Sequence, residues 1–204
     1  MTIHREIAQS CRGTGAPPPM PLDHILTTLR RDLHSRQREA TAIREHLGVG
    51  YQPKFYMSLY ALLMAAFAQV DLFAALREGK QPKGNKHDMR RFLADFTSRD
   101  PSAIAHAIQL YRHTTMHTGR PRELVNPQSG QRRYYLLHWG REGADEAAHL
   151  TVDGTGKLTL NLECLLEDVS CAFDAFATEV RDSSRIAANV TRVWPKVVLQ
   201  VWRA

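Results

Sequence analysis

The chain is poor in cysteine, and the few that it has exclude several classes of protein. Its 204 residues include three, Cys11, Cys164 and Cys171. Their spacing fits neither a redox pair nor a zinc cluster, and a disulfide-stabilised secreted domain would need a denser, even-numbered set. We therefore expect a cytoplasmic protein in which Cys164 and Cys171 are small residues of the core.

Only one long apolar run is present in the sequence. It extends from Phe55 to Leu76 and contains Gln69 and Asp71 well inside its length. No second run exists that could shelter these polar groups in a bilayer. We therefore interpret the run as the central helix of a bundle and predict no membrane association.

Residues 1–21 lack both a regular period and the apolar stretch of a signal peptide. They include the sequence S-C-R-G-T-G-A-P-P-P-M-P, in which glycine and proline oppose helix and strand formation. We predict a mobile N-terminal arm over residues 1–21 and one domain over residues 22–204, because this length suits a single core with a small appendage.

Several segments repeat apolar residues at the spacing of a helix. The first extends from Leu22 to Leu47 and ends before a glycine, as helices commonly do. Shorter stripes follow at Met89–Phe96 and after Asp100, which we predict to be an N-cap followed by a proline in the first turn. A later stripe covers Leu162–Val180. Beyond Ser183 the pattern leaves a kinked helix and a strand both open.

The apolar period changes between the fourth helix and the long helix that follows it. Tyr134–Trp139, His149–Val152 and Lys157–Leu160 are typical of strands, and the last two flank the turn sequence D-G-T-G, which favours a hairpin. We therefore predict a mainly α fold. It is a helical bundle with a small antiparallel β-insert at about residues 132–160, between the motif helix and the following long helix.

Positive charge is concentrated in one short region. Between His106 and Arg141 there are six arginines, no lysine and one acid, Glu123, so this region carries +5 of the chain's net charge of +6. Such a cluster favours a polyanionic partner. We expect phosphate groups of RNA to be contacted by Arg120, Arg122, Arg132 and Arg133.

The sequence Arg112-His113-Thr114-Thr115-Met116-His117 lies at the end of the predicted fourth helix. It resembles the R-[N/H/D]-x3-H signature of the HEPN superfamily, all-helical domains that include many metal-independent ribonucleases of toxin–antitoxin and defence systems. The order of the predicted helices from about residue 22 to residue 181 is also similar to that family. The strand-like runs are an addition to the family's minimal bundle.

The resemblance implies an RNA endonuclease that needs no cofactor. In this chemistry the ribose 2′-hydroxyl attacks the adjacent phosphate, a histidine such as His117 transfers a proton, and an arginine such as Arg112 stabilises the phosphorane. His113 would position His117. The family commonly composes its active site at a two-fold interface, which implies a homodimer, and the resemblance also implies a small nucleotidyltransferase as a possible antitoxin.

Other interpretations of the same residues stay open. His117 can stabilise its own helix end without catalysis, and Arg112 can lie on the surface over Tyr111. His113 and His117 have the spacing of a zinc-binding pair, although the sequence nearby supplies no further ligand. The arginines can instead pair with the acidic segment at residues 142–182. The second functional class is therefore a non-catalytic module of the same fold that binds RNA, a nucleotide or a protein.

Overall fold

A computed structural model describes residues 20–47, 56–111, 124–138 and 148–198. The motif residues Arg112, His113 and His117, the arginines Arg120 and Arg122, and the predicted arm up to residue 19 lie outside these ranges.

The described part of the chain is mainly helical, as predicted. Its helices are α1 (Leu22–Leu47), α2 (Tyr56–Glu78), α3 (Lys86–Phe96), α4 (Pro101–Leu110), α5 (Leu162–Asp182) and α6 (Ser184–Val198). The bounds of α1 agree with the predicted segment, and α5 extends its predicted stripe by two residues.

Short polar side chains determine where two of these helices begin. The carboxylate of Asp100 accepts hydrogen bonds from the backbone N–H groups of Ser102 and Ala103, and Pro101 occupies the first turn. The predicted N-cap is thus confirmed. Asn161 caps α5 in the same manner, and each cap satisfies N–H groups that have no partner within the helix.

Helix α2 lies at the centre of the bundle and packs against α1, α3, α5 and α6. The ring of Phe73 meets Phe92 of α3 and both Phe173 and Phe176 of α5, with centroids 5.1 to 6.2 Å apart. The stretch Tyr60–Glu78 is long and apolar enough to cross a membrane, but half of it is buried inside the protein. Its apolar character is therefore accounted for by the core of the bundle.

The two cysteines of α5 differ in their surroundings. Cys164 is buried, as expected, whereas Cys171 is exposed, so the expectation for Cys171 is wrong. Cys164 lies in the first turn of α5, directly after the sheet, while Cys171 lies beside the stripe of α5 that faces the core.

The segment after α5 forms a helix, α6, with Pro195 inside it. The Asn189 amide donates to the carbonyl oxygen of Arg77 at 2.9 Å, and the Arg192 guanidinium donates to that of Gly79 at 3.0 Å. These bonds and the buried apolar face outweigh the backbone hydrogen bond that a proline removes. The buried residues of α6 are Ile186, Val190, Val193 and Trp194.

A small mixed sheet packs beside α4. Its strands are β1 (Leu124–Val125), β2 (Arg132–His138), β3 (Thr151–Val152) and β4 (Lys157–Asn161), in the order β1-β2-β4-β3. The predicted β3–β4 hairpin is confirmed.

The prediction of a purely antiparallel insert is wrong, because β2 pairs with β4 in parallel. Strand β3 occupies one edge of β4, and the other edge is left for β2, which runs in the same direction. The pairing begins at Tyr134 opposite Lys157, and the backbone N–H of Tyr134 donates to the carbonyl oxygen of Gly156 at 3.3 Å.

The turn between β3 and β4 provides a test of this arrangement. Gly156 has a φ of +84°, and a Cβ built on it would lie 1.9 Å from the carbonyl oxygen of Arg132. Gly154, two residues earlier, has open space around it. We expect Gly156→Ala to lower the free energy of unfolding by about 1–3 kcal/mol, because it combines a strained φ with a clash against β2.

Urea denaturation of the two single variants measures the effect. The matched control, Gly154→Ala, should stay within about 0.5 kcal/mol of the wild type. Equal unfolding free energies for both variants would show that the close approach of Gly156 to β2 does not stabilise the sheet.

Candidate nucleic-acid interface

The end of α4 is the described element closest in sequence to the predicted motif. The backbone N–H of Tyr111 bonds to the carbonyl oxygens of Ala107 and Ile108, so Tyr111 completes the last turn. Its ring stacks on Phe67 of α2 with centroids 4.8 Å apart and planes at 23°. Because Arg112 follows directly in sequence, this stacking fixes the point from which the motif starts.

One of the four predicted RNA-contacting arginines is placed at this helix end. Arg133 of β2 donates a hydrogen bond from its guanidinium to the side-chain carbonyl oxygen of Gln109 in α4. Gln109 precedes Arg112 by three residues. The neighbouring Arg132 is exposed, and successive residues of a strand point to opposite faces. The sheet therefore brings Arg133, rather than Arg132, against the last turn of α4.

A groove of about 530 Å³ lies beside Arg133. Its polar lining consists of the guanidinium of Arg133 and the side-chain amides of Gln109, Asn126, Gln128 and Gln131. Within the described part of the chain, no acidic residue lines it. Amide groups can both donate and accept hydrogen bonds, and a guanidinium suits an anion such as a phosphate.

The outer wall of this groove is a tight turn between β1 and β2. The side-chain oxygen of Asn126 accepts hydrogen bonds from the backbone N–H groups of Gln128 at 2.9 Å and Ser129 at 3.3 Å. Gly130 completes the turn with a φ of +68°. Val125, which is 55% exposed, forms the apolar part of the lining together with Leu124 and Pro127.

His106 lies in α4 one turn before Gln109 and was not among the predicted site residues. It is 6% exposed, and its Nε2 atom has no hydrogen-bond partner among the described residues. Burial, together with the positive charge of Arg133, lowers the pKa of His106. Both effects favour the neutral imidazole. The sequence I-A-H-A-I suggests an ordinary core position, and only the spacing of three residues to Gln109 points to the site.

A second polar cluster joins the sheet to the bundle. Both Asp168 carboxylate oxygens accept hydrogen bonds from the guanidinium of Arg99, at 2.8 and 3.0 Å, and one of them is 3.2 Å from Nε2 of His149. Nδ1 of His149 accepts a hydrogen bond from the backbone N–H of Asn161 at 3.0 Å. Since both ring nitrogens are engaged, His149 has no free nitrogen for proton transfer.

The described residues contain no group of three or more histidine, cysteine, aspartate or glutamate side chains that could hold a metal ion. The His113–His117 pair, on which the zinc interpretation depends, lies outside them.

Comparisons with known proteins add no relative: no protein-family model, no curated protein and no solved structure matches the chain.

The Asp168 cluster predicts a dependence of stability on pH. Burial alone raises the pKa of Asp168, but hydrogen bonds from His149 and Arg99 outweigh it, so the pKa lies below the ordinary value. A carboxyl with a depressed folded-state pKa stabilises the protein above its unfolded-state pKa, and this contribution is lost as the pH falls through the folded-state value. We expect Asp168→Asn to cost about 1–3 kcal/mol at neutral pH.

Urea denaturation at about pH 7 and at about pH 3 tests this, because the difference between wild type and Asp168→Asn should shrink at the lower pH. Asp174, whose pair with Arg30 is largely exposed, supplies the control. Asp174→Asn should change the unfolding free energy by less than about 1 kcal/mol. A difference for Asp168→Asn that is the same at both pH values would contradict the assignment of the charge as the stabilising feature.

Proposed function

We propose that the protein is a metal-independent RNA endonuclease of the HEPN type, with Arg112 and His117 as its catalytic residues. The observation that carries the proposal is the contact between Arg133 and Gln109. It holds a cation from the sheet against the helix that leads into Arg112. A helical bundle that presents a charged guanidinium and several side-chain amides at this point offers a place for a phosphodiester at the end of α4, directly before Arg112 in sequence.

The chemistry needs three events at one phosphate. The ribose 2′-hydroxyl loses its proton to a base and attacks phosphorus, and the 5′-oxygen of the next nucleotide leaves with a proton from an acid. His117 takes one of these proton transfers, since an imidazole can act as base or acid near neutral pH. Arg112 stabilises the extra negative charge of the phosphorane, and His113 positions His117.

RNA is favoured over other polyanions by the mechanism and by the groove. The attacking 2′-hydroxyl is present in RNA and absent from DNA. The amides of Gln128 and Gln131, and the NH2 groups of Gln109 and Asn126, can bond to base edges, which are accessible in single-stranded RNA. Arg132 is exposed next to Arg133 in β2 and adds positive charge there, and we propose that Arg120 and Arg122 also contact RNA phosphates.

One Arg–His pair supplies only one of the two proton-transferring groups, so we propose a C2 homodimer in which the two motif segments share the site. Light scattering at micromolar concentration should give the mass of a pair of chains. A monomeric mass over the whole accessible concentration range would remove the second catalytic set from the mechanism.

Cleavage without a metal is the direct test of the proposed function. The purified protein should cut single-stranded RNA in the presence of EDTA, leave 2′,3′-cyclic phosphate ends and spare DNA of the same sequence. His117→Ala should lower the rate by about 10² to 10⁴ because a proton-transfer step is lost. Arg112→Ala should have a similar effect through loss of phosphorane stabilisation, and His113→Ala a smaller one.

His34→Ala is the matched control, because His34 is exposed on α1, and this variant should cut at the wild-type rate. Equal activity of wild type and His117→Ala would show that the cutting comes from a contaminant.

A non-catalytic RNA-binding module is the second candidate. It is favoured by the groove itself, whose described side chains can bind a nucleotide but include no free acid or base. RNA binding by the wild type together with equal trace cleavage in wild type and His117→Ala would select this function.

A further inference from the structure

The loop between α2 and α3 carries positive charge that the proposed site does not use. The sequence from residue 79 is G-K-Q-P-K-G-N-K, and Arg90 follows one turn after Lys86 in α3. Four cations of this segment are exposed, namely Lys80, Lys83, Lys86 and Arg90, and Lys80 pairs with Asp88.

Acidic side chains near the loop are already engaged by other groups. The carboxylate of Asp88, which is 7% exposed, accepts hydrogen bonds from Lys80 at 2.9 Å and from the Asn85 amide at 2.7 Å. Glu78 pairs with Arg91. Within the described ranges no acid pairs with Lys83, Lys86 or Arg90. Their charge is therefore available to a partner from solution.

The position of the loop is fixed by a polar residue of the central helix. Asp71 of α2 accepts a hydrogen bond from the backbone N–H of Gly84 at 2.7 Å. Asp71 follows Phe67 by four residues, so both lie on the same face of α2, about 6 Å apart along its axis. Phe67 is the residue on which Tyr111 stacks. The basic loop and the end of α4 consequently lie side by side on one face of α2.

The connection between α3 and α4 leads to the same arrangement. The two helices pack against each other and are joined by residues 97–100 alone. A connection of this length reverses the chain direction between neighbouring helices. The beginning of α3, with Lys86, therefore lies at the same end of the helix pair as Tyr111.

We propose that Lys83, Lys86 and Arg90 bind the phosphates of single-stranded RNA, so that a strand held at the proposed site continues over this loop. The inference rests on the proposed function, because it takes RNA to be the substrate. Lysine ammonium groups and an arginine with no acidic partner bind successive phosphates without reading their sequence. The loop thus adds affinity and length to the RNA footprint, whereas the amide-lined groove contacts bases.

The salt dependence of RNA binding tests the proposal. Each phosphate neutralised on a single strand contributes about 0.7 to the slope of log affinity against log salt concentration. The triple variant Lys83→Gln, Lys86→Gln, Arg90→Gln should therefore bind a fluorescent single-stranded RNA with a slope reduced by about 2. Because the three side chains are exposed, its thermal unfolding midpoint should equal that of the wild type.

A triple variant elsewhere on the surface controls for the loss of charge itself. Arg38, Arg181 and Arg185 are exposed and have no ion-pair partner among the described residues. Replacing all three with glutamine removes the same charge. The slope should stay within about 0.5 of the wild-type value, because it reports only the phosphates that the protein contacts directly.

Each result has a distinct meaning. An unchanged slope in the loop variant, or an equal decrease in both triple variants, overturns the inference while leaving RNA cleavage by the wild type as support for the proposed function. No RNA binding by the wild type overturns both. Binding of polyglutamate that weakens in the loop variant as much as RNA binding does would assign the loop to acidic polymers in general, which also overturns the assignment to RNA.

Discussion

The burial of α2 is the constraint on which the rest of the structure depends. This helix is apolar on nearly every side, so it is stable in water only when other elements cover it. α1, α3, α5 and α6 provide that cover, and each offers one apolar stripe for the purpose. The orientation of each surrounding helix therefore follows from the need to turn its stripe towards α2. The aromatic contacts of Phe73 with both α3 and α5 show how closely these stripes meet.

Polar side chains on α2 give this packing a defined register. The guanidinium of Arg77 bonds to both carboxylate oxygens of Glu179 in α5, at 2.8 and 2.9 Å, and to Asp95 in α3, and it lies 4.7 Å above the ring of Phe96. Burial alone lowers the pKa of Arg77, but the bonds to Glu179 and Asp95 outweigh it and raise the pKa. Arg77 thus stays charged, and its bonds hold the C-terminal ends of α2, α3 and α5 together. Six residues earlier in α2, Asp71 accepts a hydrogen bond from the backbone N–H of Gly84 and so holds the loop that precedes α3.

Sequence patterns predicted the structure correctly where it depends on the local spacing of apolar residues. A helix that buries one stripe repeats it every three or four residues, so α1 and α5 could be delimited, and the Asp100 cap needs only its own neighbours. The parallel pairing of β2 depends on which edge of the hairpin is free, and alternation of side chains does not encode that. The positive charge of the arginine cluster could likewise be read from the sequence. The contact between Arg133 and Gln109 and the burial of His106 could not, because they arise from contacts between distant segments.

The register of the sheet decides which arginine meets α4. In the observed pairing Tyr134 lies opposite Lys157, and the preceding residue, Arg133, points towards Gln109 while Arg132 is exposed. A slip of one residue would reverse every side chain of β2 and present Arg132 instead. Gly156 permits the observed register, because a Cβ at this position would lie 1.9 Å from the carbonyl oxygen of Arg132. A glycine in a turn far from the motif in sequence is therefore required for the pairing that places Arg133 against α4.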